Sequence, residues 1–166
     1  SGMDVTVFDD KLAKLAEDMI DTMHGAEGIG LAAQQVGKAI RFCVVETPHN
    51  PEYPMTCIFD GKPLNPDLLM PLALANPEIE ELPGDDMVYE EGCLSFPDIR
   101  GDVVRADRVR VRYADLNGAE HSLECDGLLS RCIQHETDHL EGILFIDRME
   151  PEVLAEIKPD VKELKR

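Results

Sequence analysis

His135, Glu136 and His139 stand within QHETDHLEG, residues 134–142, the densest chemistry in the chain. On a helix, residues four apart share a face, so both imidazoles can direct a nitrogen to one point while Glu136 projects beside them. Two neutral imidazoles can hold a Lewis acid, and a neighbouring carboxylate can take a proton from the water bound to it. That is the chemistry of a metal-dependent hydrolase. The alternative is a pair of histidines bonded to carbonyls or solvent on an ordinary amphipathic helix. Leu128, Cys132, His135 and His139 fall on one stripe of a mostly apolar helix, which favours the metal.

A third protein ligand is needed, and the spacing alone leaves it open. The long zinc-protease motif would place another histidine at Phe145, so that class fails. Glu150, Glu152, Glu156 and Glu163 could serve from a following helix, and so could a thiolate, which a divalent metal holds deprotonated. Cys132 lies one turn before His135 and suits a pocket wall; Cys43 alternates within an apolar strand and suits the core. Cys57 and Cys125 have no distinctive setting. Cys93, in EEGCLSFP, sits between a glycine that permits close backbone approach and a closing proline. A ligand and a buried structural cysteine are equally compatible with that stretch.

The elements that must position these residues follow from periodicity. Leu12, Leu15, Ala16, Met19, Ile20 and Met23 recur at three and four and predict an amphipathic helix over residues 9–24. A glycine loop at Gly28-Ile29-Gly30 follows, then a strand over 40–46. Six prolines in residues 47–71 predict a long loop, with a short strand at 56–60. Strands are expected over 73–82, 87–95 and 108–115, and Asn117-Gly118 predicts a two-residue hairpin turn returning through 120–125. Asp126 can cap the metal-bearing helix, which runs to about Glu141 with Gly142 as its stop. After ILFID, a charged helix is expected over 151–165.

Composition narrows the function classes. The 166 residues suit a single domain, 1–166, with Ser1-Gly2 reading as a protease scar ahead of Met3. A net charge of −18 argues against a body that binds nucleic acid or anionic lipid. No apolar run reaches the roughly 18 residues that span a membrane. Five cysteines without a CxxC pair fit a reducing compartment, so the expected location is cytoplasmic.

Three stretches together resemble the peptide deformylases: Gly28-Ile29-Gly30-Leu31-Ala32-Ala33-Gln34-Gln35 matches GxGLAAxQ, Glu91-Gly92-Cys93-Leu94-Ser95 matches EGCLS, and residues 135–142 match HExDHLxG. A lone HExxH is weak, whereas three motifs in order over residues 9–150 are specific. The resemblance implies an α+β fold, with antiparallel strands packed around the central HExxH helix and helices at both ends. It implies a hydrolase that removes the formyl group from N-formylmethionyl nascent peptides and releases formate. Metal-bound water would attack the formyl carbonyl, with Glu136 as base and then acid. The implied ligands are Cys93, His135 and His139; Gln35 and the Leu94 backbone N–H would complete the oxyanion site. Substrate contacts are expected from Ile29, Gly30, Gly92 and Arg100, with Tyr89, Leu128 and Cys132 around the methionine side chain. Asp138 is expected to support the ligands from behind.

The implied cofactor is one divalent metal ion per chain, ferrous iron in the cell, with zinc, nickel or cobalt able to take the site. A monomer with a weak ribosome contact is expected. Two features depart from the family pattern: only about six native residues precede the first helix, and the 47–71 segment is long. A hydrolase of the same fold acting on another amide, and a metal-stabilised domain without catalysis, are the competing readings.

Overall fold

In Phe42-Cys43-Val44-Val45 every side chain is buried, and alternate residues enter different cores. Phe42 and Val44 pack with Leu12, Ala16, Met19 and Met23 of a helix, whereas Cys43 and Val45 pack with Leu129, Cys132, Ile133 and Leu140 of another. A strand sends successive side chains to opposite faces, so these two clusters are the two sides of one sheet. Burying each large apolar side chain is worth about 1.5–3 kcal/mol, and both helices are held to the sheet mainly by this.

The computed structural model describes residues 2–49, 51, 54–83, 86–93 and 96–141, with backbone alone at 86–93 and 96–105. The helices are α1 (Asp10–Gly25) and α2 (Gly127–Leu140). The strands are β1 (Gly30–Ala32), β2 (Phe42–Val45), β3 (Cys57–Phe59), β4 (Lys62–Leu64), β5 (Leu72–Glu81), β6 (Asp86–Cys93), β7 (Phe96–Ala106), β8 (Val109–Ala114) and β9 (Glu120–Cys125). Seven of them form an antiparallel sheet in the order β1-β2-β5-β8-β9-β3-β4; β6 and β7 pair separately. α1 packs on β1 and β2, while α2 contacts β1, β2, β5 and β7. The α+β arrangement around the HExxH helix therefore stands. The ILFID segment, the 151–165 helix and Gly142 lie outside the described residues.

α1 starts where Asp9 accepts the N–H groups of Lys11 (3.1 Å) and Leu12 (3.2 Å), a cap worth about 1 kcal/mol. α2 starts differently. The Asp126 side chain does not cap its own helix; it accepts from Thr56 N and Thr56 Oγ1, both at 2.6 Å. The first N–H groups of α2 go instead to Asp107 Oδ1 (from Gly127, 3.2 Å) and to the Met55 thioether (from Leu129, 3.2 Å). The 47–71 segment thus anchors the base of the HExxH helix.

Several expectations change. Residues 47–71 contain a second short strand, β4, beside the expected one. β7 was not expected, because FPDIRGDVVRA carries a proline, a glycine and charges without clean alternation. The Asn117-Gly118 turn is not a two-residue loop. Gly118 N bonds Asp115 O (3.0 Å), Asp115 N bonds Ala119 O (2.9 Å), and Gly118 takes φ +83°. That is a type I turn followed by a left-handed glycine, and the Asp115 carboxylate selects it by accepting from Asn117 N and Ala119 N.

The short segment before α1 is tied down. Met3 bridges Ile40, and the side chain of Asn76, at a bulge in β5, both accepts from Val5 N (2.7 Å) and donates to Val5 O (2.9 Å). Gly2, read as a scar, donates its N–H to Leu140 O at 3.0 Å.

Candidate active site

From Leu129 to Leu140 every residue of α2 is buried, including Ser130, Arg131, Gln134, His135, Glu136, Thr137, Asp138 and His139. So many polar groups inside a protein are costly unless each is engaged, so this polar run marks a built site. Gln134 shows the pattern: its Nε2 donates to Ala106 O (2.7 Å) and Ser130 Oγ (3.0 Å), fastening α2 to the end of β7.

His135 Nε2 and His139 Nε2 lie 3.2 Å apart, with ring centroids 4.9 Å apart at 65°. Glu136 Oε1 is 3.9 Å from His135 Nε2. Ligand atoms of all three residues fall within 4.8 Å of one another. Two ligands at about 2.05 Å from a tetrahedral ion would stand about 3.3 Å apart, so the imidazole pair fits a divalent metal. Two nitrogen lone pairs aimed at each other also require something positive between them, a proton or a cation.

Gly30 explains how Glu136 reaches this point. A Cβ built on Gly30 would lie 2.8 Å from Cys132 Sγ, 2.9 Å from Glu136 Cγ and 3.0 Å from Glu136 Oε1. The room that this glycine leaves on its side-chain face is therefore filled by the chain's own helix. Cys132 Sγ donates to Ile29 O (3.2 Å), and Glu46 N donates to the same carbonyl (2.8 Å). Ile29 is more than a third exposed, and β1 ends the sheet, with no strand on its outer edge among the described residues.

Gln35 stands in the 3-10 turn Ala33–Val36, where its Oε1 accepts Ala32 N at 2.9 Å. That bond fixes the acceptor end of the amide and makes Nε2 the donor end. Leu128 is half-buried at the start of α2, whereas Cys132 belongs to the buried core cluster. Gly92 and Cys93 end β6, where the register sets Gly92 opposite Arg100 and Cys93 opposite Phe96; Tyr89 pairs with Val103. Leu94 lies outside the described residues.

Among the described residues, the other cysteines do not join the histidine group. Cys43 is fully buried; burial first, and the charge of Glu136 second, push its thiol well up, so it stays protonated. Cys57 and Cys125 face each other in register across β3 and β9. The residues that sequence reading missed are those holding the two ends of α2: Met55, Thr56 and Asp107 at its start, Gln34 and Arg41 at its finish. No local signal could have found them, since their partners are 20 to 106 positions away.

A sequence profile described as Polypeptide deformylase matches residues 1–154. The chain belongs to the peptide deformylase family. It is 52% identical over 164 residues to the peptide deformylase of Opitutus terrae, covering 98% of this chain and 85% of that one. It is 45% identical over 149 residues to that of Novosphingobium aromaticivorans, covering 87% and 79%. Among solved structures, the Plasmodium falciparum peptide deformylase in complex with inhibitor superposes with a TM-score of 0.80 at 35% identity, covering 99% of this chain and 91% of that one. The Thermotoga maritima peptide deformylase superposes at 0.75 with 39% identity, covering 90% and 88%. This deformylase is a metal-dependent hydrolase that acts on N-formylmethionyl peptides.

Proposed function

We propose that deformylation takes place on the His135–Glu136–His139 face of α2, with Cys93 as the third ligand. The observation that carries this is the convergence of the two Nε2 atoms at 3.2 Å, with a carboxylate beside them inside a buried helix. Cys93 is supported by the EGCLS match, by its place at the end of β6 and by the absence of the four other thiols from the group. A divalent cation held there would supply a Lewis acid and a water of lowered pKa.

The chain's own residues do the rest. Glu136, 4% exposed, takes the proton from the attacking water and returns it to the amine nitrogen as the C–N bond breaks. Gln35 donates from Nε2 to the oxygen on which charge develops, and the Leu94 N–H is the second donor by its place in the motif; one such donor is worth about 3 kcal/mol in the transition state. The formylated peptide lies extended beside the outer edge of β1, meeting Ile29 and Gly30 on one side and Gly92 on the other. Arg100 serves the distal peptide, and Tyr89, Leu128 and Cys132 bound the methionine pocket. Asp138 supports the ligands.

The three ligands, one thiolate and two imidazoles, suit ferrous iron as the cellular metal and also accept zinc, nickel or cobalt. A single domain working as a cytoplasmic monomer on nascent chains, in weak contact with the ribosome, completes the reading; no helix among the described residues is long and apolar enough to cross a membrane. The test is formate release from a short N-formylmethionyl peptide by protein prepared without oxygen and loaded with ferrous iron or nickel. Fast metal-dependent release supports the reading, and none from folded, loaded protein overturns it.

A further inference from the structure

We infer that Gln34 and Arg41 are a pair of positioning residues that fix the last turn of α2, and through it His139, for metal binding. The inference rests on His139 being a ligand, as proposed above. Helices end with carbonyls that have no partner in the helix, and those ends fray unless something outside holds them. In α2 the final turn carries His139 and ends at Leu140.

Gln34 Nε2 donates to Leu140 O at 3.4 Å, and Gly2 N donates to the same oxygen at 3.0 Å. One residue on, Glu141 Oε1 lies 3.2 Å from Arg41 Nη2. That guanidinium is largely buried and fixed from behind, for Nη2 also donates to Pro77 O (2.7 Å) and Nη1 to Asp4 Oδ1 (3.0 Å). Arg41's own backbone is held too: its N–H goes to Met3 O and its carbonyl accepts from Asn76 N, both at 2.8 Å. A cation on a rigid base thus meets the negative end of the helix dipole.

Gln34 also stands next to Gln35 in the same 3-10 turn, and the two point to different tasks. Gln35 bonds back to Ala32 within the GxGLAAxQ stretch; Gln34, at that motif's variable position, reaches α2. The turn therefore sets the proposed oxyanion donor and the end of the metal helix in one register.

The test follows release of nickel from loaded protein to excess chelator, together with KM and kcat on a formylmethionyl peptide and the unfolding midpoint of the metal-free protein. Groups that orient ligands from behind typically matter about tenfold, so Gln34→Leu and Arg41→Met should each speed nickel release about tenfold with KM unchanged. Arg41→Lys should recover part of the loss. Glu141→Gln should reproduce part of the Arg41→Met effect and be non-additive with it, while Lys14→Gln, in an exposed ion pair with Asp18 on α1, should leave nickel release unchanged. Wild-type release from folded Arg41→Met and Gln34→Leu overturns the inference, as does Lys14→Gln accelerating release as much as Arg41→Met. If Arg41→Met does not fold, Gln34→Leu and Glu141→Gln decide the matter in the same way. His139→Ala separates this from the site assignment: if it keeps nickel at the wild-type rate, the ligand reading fails first.

Discussion

Two histidine clusters in this protein use the same ring for opposite ends. At the proposed active site, His135 Nε2 faces His139 Nε2 across 3.2 Å, and all three members of the group are buried. At the far end of the sheet, His121 lies between two carboxylates, with Nδ1 2.7 Å from Asp60 Oδ2 and Nε2 2.7 Å from Asp115 Oδ2. Ionised carboxylates only accept, so this setting favours the doubly protonated, charged form of the His121 ring. Two facing ring nitrogens take a proton or a cation between them, whereas a ring between two carboxylates is favoured in its charged form. The first arrangement is a place for chemistry, and the second is a strut joining the β3–β4 turn to the β8–β9 hairpin.

The comparison breaks most severely if the active-site pair holds metal without its third partner. Cys93→Ala, and equally His135→Ala, should leave less than about a tenth of the metal after gel filtration, with activity falling in proportion. Metal analysis of the purified variants checks it. Full metal occupancy in Cys93→Ala would move the third ligand elsewhere. Next in size is Glu136→Gln, which keeps the shape of the side chain and removes the proton acceptor. It should retain metal and lose about 10³-fold in kcat, within the range general acid–base catalysis supplies. Wild-type turnover by that variant would remove Glu136 from the reaction.

How much of this could be read in the chain differs between the two clusters for a physical reason. The HExxH helix was legible because its periodicity and the spacing of its histidines are local: residues 126–141 were expected and Gly127–Leu140 are found. The strand at 120–125 was legible as the return of the hairpin after Asn117-Gly118 and is found at those bounds. The His121 strut was not, because Asp60 and His121 are 61 residues apart and meet only through the β3–β9 pairing. The cap at Asp126 shows the same limit, since the residue marks the helix start as expected while its carboxylate serves Thr56 instead. Gly30 was legible as a motif glycine, but what it makes room for depended on how α2 packs against β1.

Gly30→Ala sharpens the active-site half of the comparison. Its methyl group would sit 2.9 Å from Glu136 Cγ and 2.8 Å from Cys132 Sγ, so one of them must move. A displacement approaching 1 Å at a catalytic group costs about 10² in rate, and kcat should fall by roughly that factor. Because His135 and His139 are not the atoms crowded, metal content should stay near wild type. Peptide kinetics beside metal analysis distinguish this from general unfolding, in which both would fall together.

The smallest effect belongs to the strut and appears in stability, not in catalysis. Burial lowers the pKa of His121, but hydrogen bonds and charge from Asp115 and Asp60 outweigh it, so the folded value is raised above the ordinary 6.5. A raised histidine contributes its stabilisation in full below about 6.5 and loses it as pH climbs through the folded value. Hydrogen bonds from His121 hold Asp60 and Asp115 below the ordinary 3.8, and their contribution is present above that and is lost as pH falls through the lowered values. The strut therefore works best between about pH 4 and 6.5. With Asp60 45% and Asp115 33% exposed, solvent screening limits it to about 1 kcal/mol. Urea unfolding from pH 5 to 9 should show the wild type losing that increment on the alkaline side, while His121→Gln lacks it throughout and has a flatter profile. Parallel profiles would mean that the imidazolium contributes nothing to folding, and the contrast between the two clusters would then lie in geometry alone.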